Sequence, residues 1–311
     1  AICVVSISCA IAQTDFPNKP IKLIVGFAPG GGSDFIARMI AVKMTKILGQ
    51  PIVIDNKPGA GGNLAAELAL RSAPDGYTIF LTAGSYTVNS SFYKLPFDSL
   101  KDITPISLLA KGPFIIAVNA DFPANSLKEM VELIRKNPGK YSYASAGNGS
   151  ITHVVSEYFF DVAGVTIDHV PYKGTSPALT DTIAGHTQII FGTSASTIPF
   201  IKSGKLKALA VTTPKRVPAL PNTPTVTEAG YPAYQVTNWH GLIGPKGIPR
   251  DIQMKLNNAV NQALNEKGTD VDLASDGLVP AGDSPETFQA LLTSETARWG
   301  ALVKKRNLKA E

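Results

Sequence analysis

Ile21-Lys22-Leu23-Ile24-Val25-Gly26-Phe27-Ala28-Pro29-Gly30-Gly31-Gly32-Ser33-Asp34 reads as a strand that runs into a glycine loop and opens a helix. The first five residues are β-branched or apolar apart from one lysine, as a buried strand requires. Downstream, Ile36, Ile40, Met44 and Ile47 recur at helical spacing, with Met39 and Leu48 beside them, and Gly49 ends the run. Pro51-Ile52-Val53-Ile54 starts a second strand, and Lys57-Pro58-Gly59-Ala60-Gly61-Gly62-Asn63 leads into a helix from Leu64 to about Ser72. Tyr77-Thr78-Ile79-Phe80-Leu81 is a third strand. Strands alternating with helices predict an α/β fold with a largely parallel sheet.

A second such unit starts near residue 114, its glycine loop about 115 residues beyond the first. Phe114-Ile115-Ile116-Ala117-Val118 is a strand, and Ser126 caps a helix faced by Leu127, Met130, Val131 and Ile134. Tyr141 to Ala144 form another strand, which runs into Ser145-Ala146-Gly147-Asn148-Gly149-Ser150. A helix follows, with Ile151, Val154, Val155, Tyr158, Phe159 and Val162 on one face. Short strands are expected at 167–170, 187–191 and 206–212, a proline-rich loop at 214–232, and helices at 251–266 and 285–305. The expected division is two lobes, 13–115 with 236–311 and 116–235, and the last helices are expected to pack on the first lobe.

A glycine loop between a strand and a helix presents unpaired backbone N–H groups at the positive end of the helix dipole. An anion fits there without a basic side chain. Two such loops in different lobes make a cleft for one small ligand, with Ser33 or Asp34 capping the first helix and Ser150 the second. His153, in the first turn of the second helix, is either a partner of that helix start or a ligand contact.

Several functions are excluded. The chain has no G-x-x-x-x-G-K-[ST] and no G-x-S-x-G, and Gly147 to Thr152 lack the third glycine of a dinucleotide loop. His153, His169, His186 and His240 form no metal-ligand spacing, so neither a metal nor a cofactor is called for. The net charge is +5, but the basic residues are scattered, with none of the stripes that hold nucleic acid. Hydrophobic residues at 44% and charged residues at 17% allow a sizeable core and rule out a disordered chain.

The segment Ala1 to Ala12, AICVVSISCAIA, resembles the apolar part of a secretory signal, with cleavage expected after Ala12. It holds both cysteines, Cys3 and Cys9. The mature chain then has none, unless Cys9 carries a lipid anchor. Export to the periplasm is the expectation.

The same residues carry a family resemblance. It runs through Phe16-Pro17-Asn18-Lys19-Pro20-Ile21, the loop Phe27 to Asp34 with Arg38, Asn56 to Gly62, and Pro74-Asp75-Gly76-Tyr77-Thr78. It continues through Tyr143-Ala144-Ser145 with Gly147, Gly149 and His153, then His169 to Gly174, Gly204 to Thr212, Leu220 to Thr225, and Trp299. In these segments the chain resembles the Bug family, the solute-binding receptors of tripartite tricarboxylate transporters. The resemblance implies a type II periplasmic-binding-protein fold, two α/β lobes closing on a ligand, and no catalysis. It implies a monomer that delivers a small organic carboxylate to integral-membrane transporter subunits. The implied contacts are Phe27, Ala28, Pro29, Gly30, Gly31 and Asp34 on one side, and Ser145, Gly147, Gly149, Ser150 and His153 on the other. Pro58 to Gly62 are taken as a structural turn.

One departure bears on the ligand. Many members carry an acid soon after the phenylalanine of the 187–191 strand, whereas this chain reads Phe191-Gly192-Thr193-Ser194. An ammonium group loses its counter-ion there, and Thr193 and Ser194 suit a second carboxylate, a hydroxyl or an amide. The expected ligand is therefore a di- or tricarboxylate, a hydroxy acid or an aromatic acid. Ser85 and Tyr86 are expected to discriminate ligand side chains. The alternatives are a receptor for an amino acid or amide, a sensor subunit, and an α/β-cleft enzyme using Asp34 or His153 as acid or base.

Overall fold

The computed structural model describes residues 15–29, 32–274 and 277–309. The signal-like segment with both cysteines, and the expected contacts Gly30 and Gly31, lie outside the described residues. The chain begins with β1 (Ile21–Val25), α1 (Gly32–Leu48), β2 (Ile52–Asn56), α2 (Asn63–Leu70), β3 (Thr78–Ala83), α3 (Gly84–Phe92) and β4 (Ile103–Gly112). A second run follows: β5 (Phe114–Asn119), α4 (Leu127–Lys136), β6 (Ser142–Ser145), α5 (Ile151–Ala163), β7 (Asp168–Pro171), α6 (Thr175–Ile183), β8 (Ile189–Thr193), α7 (Ser194–Lys202) and β9 (Leu206–Val211). The chain then returns through β10 (Asn238–Pro245), α8 (Arg250–Asn265), α9 (Thr269–Ala274), β11 (Val279–Pro280) and α10 (Pro285–Arg306).

These strands make two sheets of the same design. The first runs β11-β4-β10-β3-β1-β2 and the second β7-β6-β8-β5-β9. In each, the strand just arrived from the other lobe lies antiparallel between two of the parallel strands. It has to run that way because it enters from the opposite end. The sheets are therefore mixed rather than largely parallel, and the repeated order agrees with a type II two-lobe fold. The chain crosses between them at Pro113 and again within 212–237.

Local signals explain most boundaries. Gly49 turns left-handed, at φ 72, after the last turn of α1. Ser126 accepts the Glu129 amide and Ser150 accepts the His153 amide, both at 3.2 Å, so each caps its helix. The first sheet buries Leu23, Val25 and Leu81 against α1 and α8 on one face, and Ile24 and Phe80 against α2 and Phe288 of α10 on the other.

The last helices do not all stay on the first lobe. α8 packs on α1 and β4, as expected. α10 starts on the first lobe, where Phe288 meets the indole of Trp239 edge-on at 5.8 Å, and ends on the second. There Trp299 and Leu302 join the second lobe's core, and Arg306 pairs with Glu157 at 2.8 Å. The helix has 22 residues, about 33 Å of rise, enough to span both lobes.

Candidate functional site

Four strand-to-helix turns point into the space between the sheets. Two come from the first lobe, β1 to α1 and β3 to α3, and two from the second, β6 to α5 and β8 to α7. They meet in pairs. A Cβ placed on Gly32 of α1 would lie 3.6 Å from the Ala195 Cβ of α7. A Cβ on Gly84 of α3 would lie 3.3 Å from Ile151 of α5. Behind this seam, Gly277 would reach Ser194 at 3.0 Å. The lobes are thus closed on each other. Four helix N-termini come together in two pairs along the seam, each with backbone N–H groups that its own helix leaves unused.

Of these helices α5 has a side-chain cap, the Ser150 hydroxyl. Ala83 before α3 and Thr193 before α7 are extended and make no side-chain cap bond. The sequence pointed to two helix starts at the cleft, and the structure adds those of α3 and α7 to the same seam. Ser85, Thr193 and Ser194 therefore stand at helix starts rather than on loops. Thr193 and Ser196 join hydroxyls at 2.9 Å, which orders the α7 turn.

The first loop is pinned from behind. Asn56, at the end of β2, donates one amide group to the Phe27 carbonyl and to Asp34 Oδ1, each at 3.0 Å. Asp34 is 3% exposed, and its carboxylate takes the Arg38 guanidinium through Nε at 2.8 Å and Nη2 at 3.1 Å. It was expected among the ligand contacts. The structure commits it to the loop's own framework, because a buried carboxylate needs its charge met. Phe27 is half-buried, while Ala28 and Pro29 are exposed at the mouth. Gly26 lies against the 59–62 turn, where a Cβ would come within 2.9 Å of the Gly62 backbone. Gly61 and Gly62 also line a cavity of about 10 Å³ with Phe27, Thr82, Ser85 and Asn89. The turn expected to be structural therefore packs beside the first loop and the start of α3.

The second loop is held by an aromatic stack. The rings of His153 and His169 lie parallel, 4.1 Å apart, and His169 stacks on Tyr143 at 4.7 Å. His153 Nδ1 accepts the Gly149 amide at 3.1 Å, and His169 Nε2 lies 2.6 Å from Ser145 Oγ. Ser145 Oγ in turn accepts the Gly147 amide at 3.1 Å. Burial holds both imidazoles down at about 4, with His153's proximity adding to the effect on His169, so both are neutral near neutral pH. Ser145 and His153, expected as ligand contacts, act here by shaping the loop. Gly147 has φ 123, and a Cβ there would stand 2.9 Å from the Tyr172 carbonyl, so this turn needs glycine. Gly149 and Ser150 complete the helix start.

Tyr86 lines the same small cavity beside Ser85, with most of its ring in the first lobe's core. It is 4% exposed, its hydroxyl donates to the Ser99 carbonyl at 2.9 Å, and its ring stacks near Phe97. The helical turn after Gly84 sends it inward, into the first lobe's core. Three contributors were missed by sequence reasoning: Asn56, His169 as the partner of Ser145, and His240, whose Nε2 lies 3.2 Å from Ser33 Oγ. Asn56 had a signal, since it ends the strand beside the loop. His240 had none, being 207 residues from Ser33.

The profile described as "Tripartite tricarboxylate transporter family receptor" matches residues 36–308. Protein BugT of Bordetella pertussis is 31% identical over 311 residues, 99% of this chain and 95% of its own. A Rhodopseudomonas palustris protein solved with adipate is 32% identical, with a TM-score of 0.86 over 95% of this chain and 99% of that one. MatC from the same organism, with bound malate, is 33% identical, with a TM-score of 0.82 over 93% and 100%.

Proposed function

The chain belongs to the receptor family of tripartite tricarboxylate transporters, and we propose that it is a periplasmic receptor that closes its two lobes on a small organic carboxylate. It then hands that carboxylate to the membrane subunits of such a transporter. The observation that carries this reading is the meeting of helix starts from both lobes, α1 with α7 and α3 with α5. Each supplies backbone donors and the positive end of a dipole, and one helix end contributes about 0.3–2 kcal/mol toward an anion. Four, acting in a closed site, support micromolar binding, about −8 kcal/mol. The adipate and malate found with two relatives support the same ligand class.

The geometry speaks against catalysis. The two residues that an enzyme reading needs are both engaged, Asp34 by Arg38 and Asn56, and His153 Nδ1 by the Gly149 amide. It also favours a ligand without an amine, since the Asp34 carboxylate, the acid nearest the first loop, already neutralises Arg38.

Mass spectrometry of the natively purified protein identifies any co-purifying acid, and thermal unfolding of stripped protein tests the candidates. A ligand at about 100 times its Kd stabilises the folded state by about 2.7 kcal/mol. An unchanged carboxylate that raises Tm supports the reading. A bound acid that is converted, or a panel of acids with no effect on Tm, overturns it.

A further inference from the structure

Glu157 is a carboxylate buried in the second lobe, 6% exposed. It stands on α5 one turn after His153 and on the same face. A charge so placed has to be met. Two groups meet it, from two other elements. Arg306, in the last turn of α10, gives Nε at 3.1 Å and Nη2 at 2.8 Å to Oε2. Tyr143, in β6, gives its hydroxyl to Oε1 at 2.7 Å. Tyr143 is fully buried. Burial first, and the Glu157 charge second, hold its hydroxyl well above the ordinary value, so it remains a donor.

The Tyr143 ring is also one end of the aromatic stack. His169 lies on it at 4.7 Å with 19° between the planes, and His153 lies on His169 at 4.1 Å and 4°. The stack therefore runs beside α5, from Glu157 back to His153. Its imidazoles hold the second loop: His169 through Ser145 Oγ and the Gly147 amide behind it, His153 through the Gly149 amide. A ring tied by its hydroxyl cannot slide in its own plane without breaking that bond. Glu157 thus fixes Tyr143, Tyr143 fixes His169, and the loop follows. The same route ties the loop to α10, the helix that starts on the first lobe and ends on the second.

We propose that Arg306 is a positioning residue for the second ligand loop, acting through Glu157, Tyr143 and His169. This rests on the receptor reading above. Without the guanidinium, the Glu157 charge is uncompensated in the interior, and its way out is to turn toward solvent. The Tyr143 hydroxyl then loses its acceptor, and the stack loses the bond that sets its position. His169 moves off Ser145, and the peptide planes of the loop are no longer fixed from behind. Lys305 sits on the same turn of α10 and pairs with Asp161 at 2.7 Å, but no ring leads from that pair to the loop. It is the internal control for a role that is only anchoring.

The test uses ligand-stripped protein with malate and adipate, the acids found with two relatives, as probes. Calorimetry gives Kd, urea unfolding reports stability, and nitrogen NMR shifts of the His169 ring report its bond to Ser145. Arg306→Met is expected to weaken the tighter probe at least about tenfold and to move the His169 shifts. Arg306→Lys, which keeps a cation beside Glu157, recovers part of that affinity. Lys305→Met leaves Kd and shifts as in wild type. Tyr143→Phe keeps the ring and the ion pair but drops the hydroxyl, and weakens the probe at least about threefold. Combined with Arg306→Met it costs no more affinity than Arg306→Met alone, because both act on one route. A folded Arg306→Met protein with Kd and His169 shifts unaltered overturns the proposal while the receptor reading stands, and so does a Lys305→Met protein that is weakened equally. Where Arg306→Met does not fold, Tyr143→Phe decides, and an unaltered Kd overturns the proposal. If wild type binds neither acid, the receptor reading falls instead, and the His169 shifts alone judge the route.

Discussion

Lowering the pH from about 7 to about 5 should destabilise this protein through three buried imidazoles, His153, His169 and His240. Burial is the main cause in all three, and each sits at about 4 in the folded protein. Each titrates near 6.5 when unfolded, so the unfolded chain binds more protons between about pH 4 and about pH 6.5. Stability is therefore full above that window and is lost as the pH falls through it. Between about pH 7 and about pH 5 one such imidazole costs about 2 kcal/mol. His169 is partly exposed and contributes less, so the three together come to about 5 kcal/mol. That is a large share of the roughly 5–15 kcal/mol that holds a domain folded. The exposed carboxylates of Asp98, Glu228 and Glu286 lie below their ordinary range, so their stabilisation is lost only at lower pH. Urea unfolding of stripped protein at several pH values measures the slope. His169→Phe keeps a ring in the stack without a titrating nitrogen and should flatten the slope by about a third. Ligand affinity should hold down to about pH 5 and fall only as the pH nears about 4, where protonated His153 can no longer accept the Gly149 amide. A urea midpoint that stays constant from about pH 7 to about pH 5 would refute the burial argument.

Other substitutions probe the loops directly. Asn56→Ala frees the Phe27 carbonyl and one side of Asp34, and should cost about 1–3 kcal/mol in urea unfolding and weaken ligand binding about tenfold. Gly147→Ala puts a Cβ against the Tyr172 carbonyl; circular dichroism should stay native while calorimetry shows a Kd at least about tenfold higher, and an unaltered Kd would show that the turn adapts. Ala195→Leu wedges the seam opposite Gly32. Small-angle scattering should then show a larger radius of gyration with ligand present, and the ligand-induced Tm rise should shrink, while the stripped protein melts as wild type does.

The legible parts of the fold were those where one periodicity dominates. β1, its glycine loop and α1 follow directly from Ile21 to Leu48, and so do α5 and its capping Ser150. α3 was not visible, because Gly-Ser-Tyr-Thr-Val-Asn-Ser-Ser-Phe has low helix propensity throughout. It is a helix because Tyr86 and Val88 are buried in tertiary contacts, which no local signal encodes. α7 carries Pro199 and is hidden for the same reason. Residues 85 and 194 were picked out as cleft residues, yet their helical state was missed, and only the helix phase shows how deeply Tyr86 is buried. The site divided similarly. Glycine loops announce themselves in sequence. The side chains that hold them, Asn56, His169 and His240, reach their partners across 22 to 207 residues, and spacing says nothing of that.

The packing also says where the lobes hinge. On the face of the first sheet that carries α3 and α10, the two lobes share apolar core. Val88 of α3 and Trp299 and Leu302 of α10 are buried with Phe159 and Tyr234 of the second lobe. Ion pairs from Arg306 to Glu157 and from Lys305 to Asp161 fasten the end of α10 there. Parting the lobes on that side would expose several large side chains, at about 25 cal/mol per Å² of apolar surface. On the opposite face, α1 and the turn before β11 meet α7 through Gly32, Ala195, Gly277 and Ser194, which have little side chain to expose. Opening therefore costs least there, and rotation runs about the edge made by α3, α10 and α5. Closure then needs only the α1 and α7 helix starts to travel, and a wedge at Ala195 acts on the moving side while leaving the shared core intact.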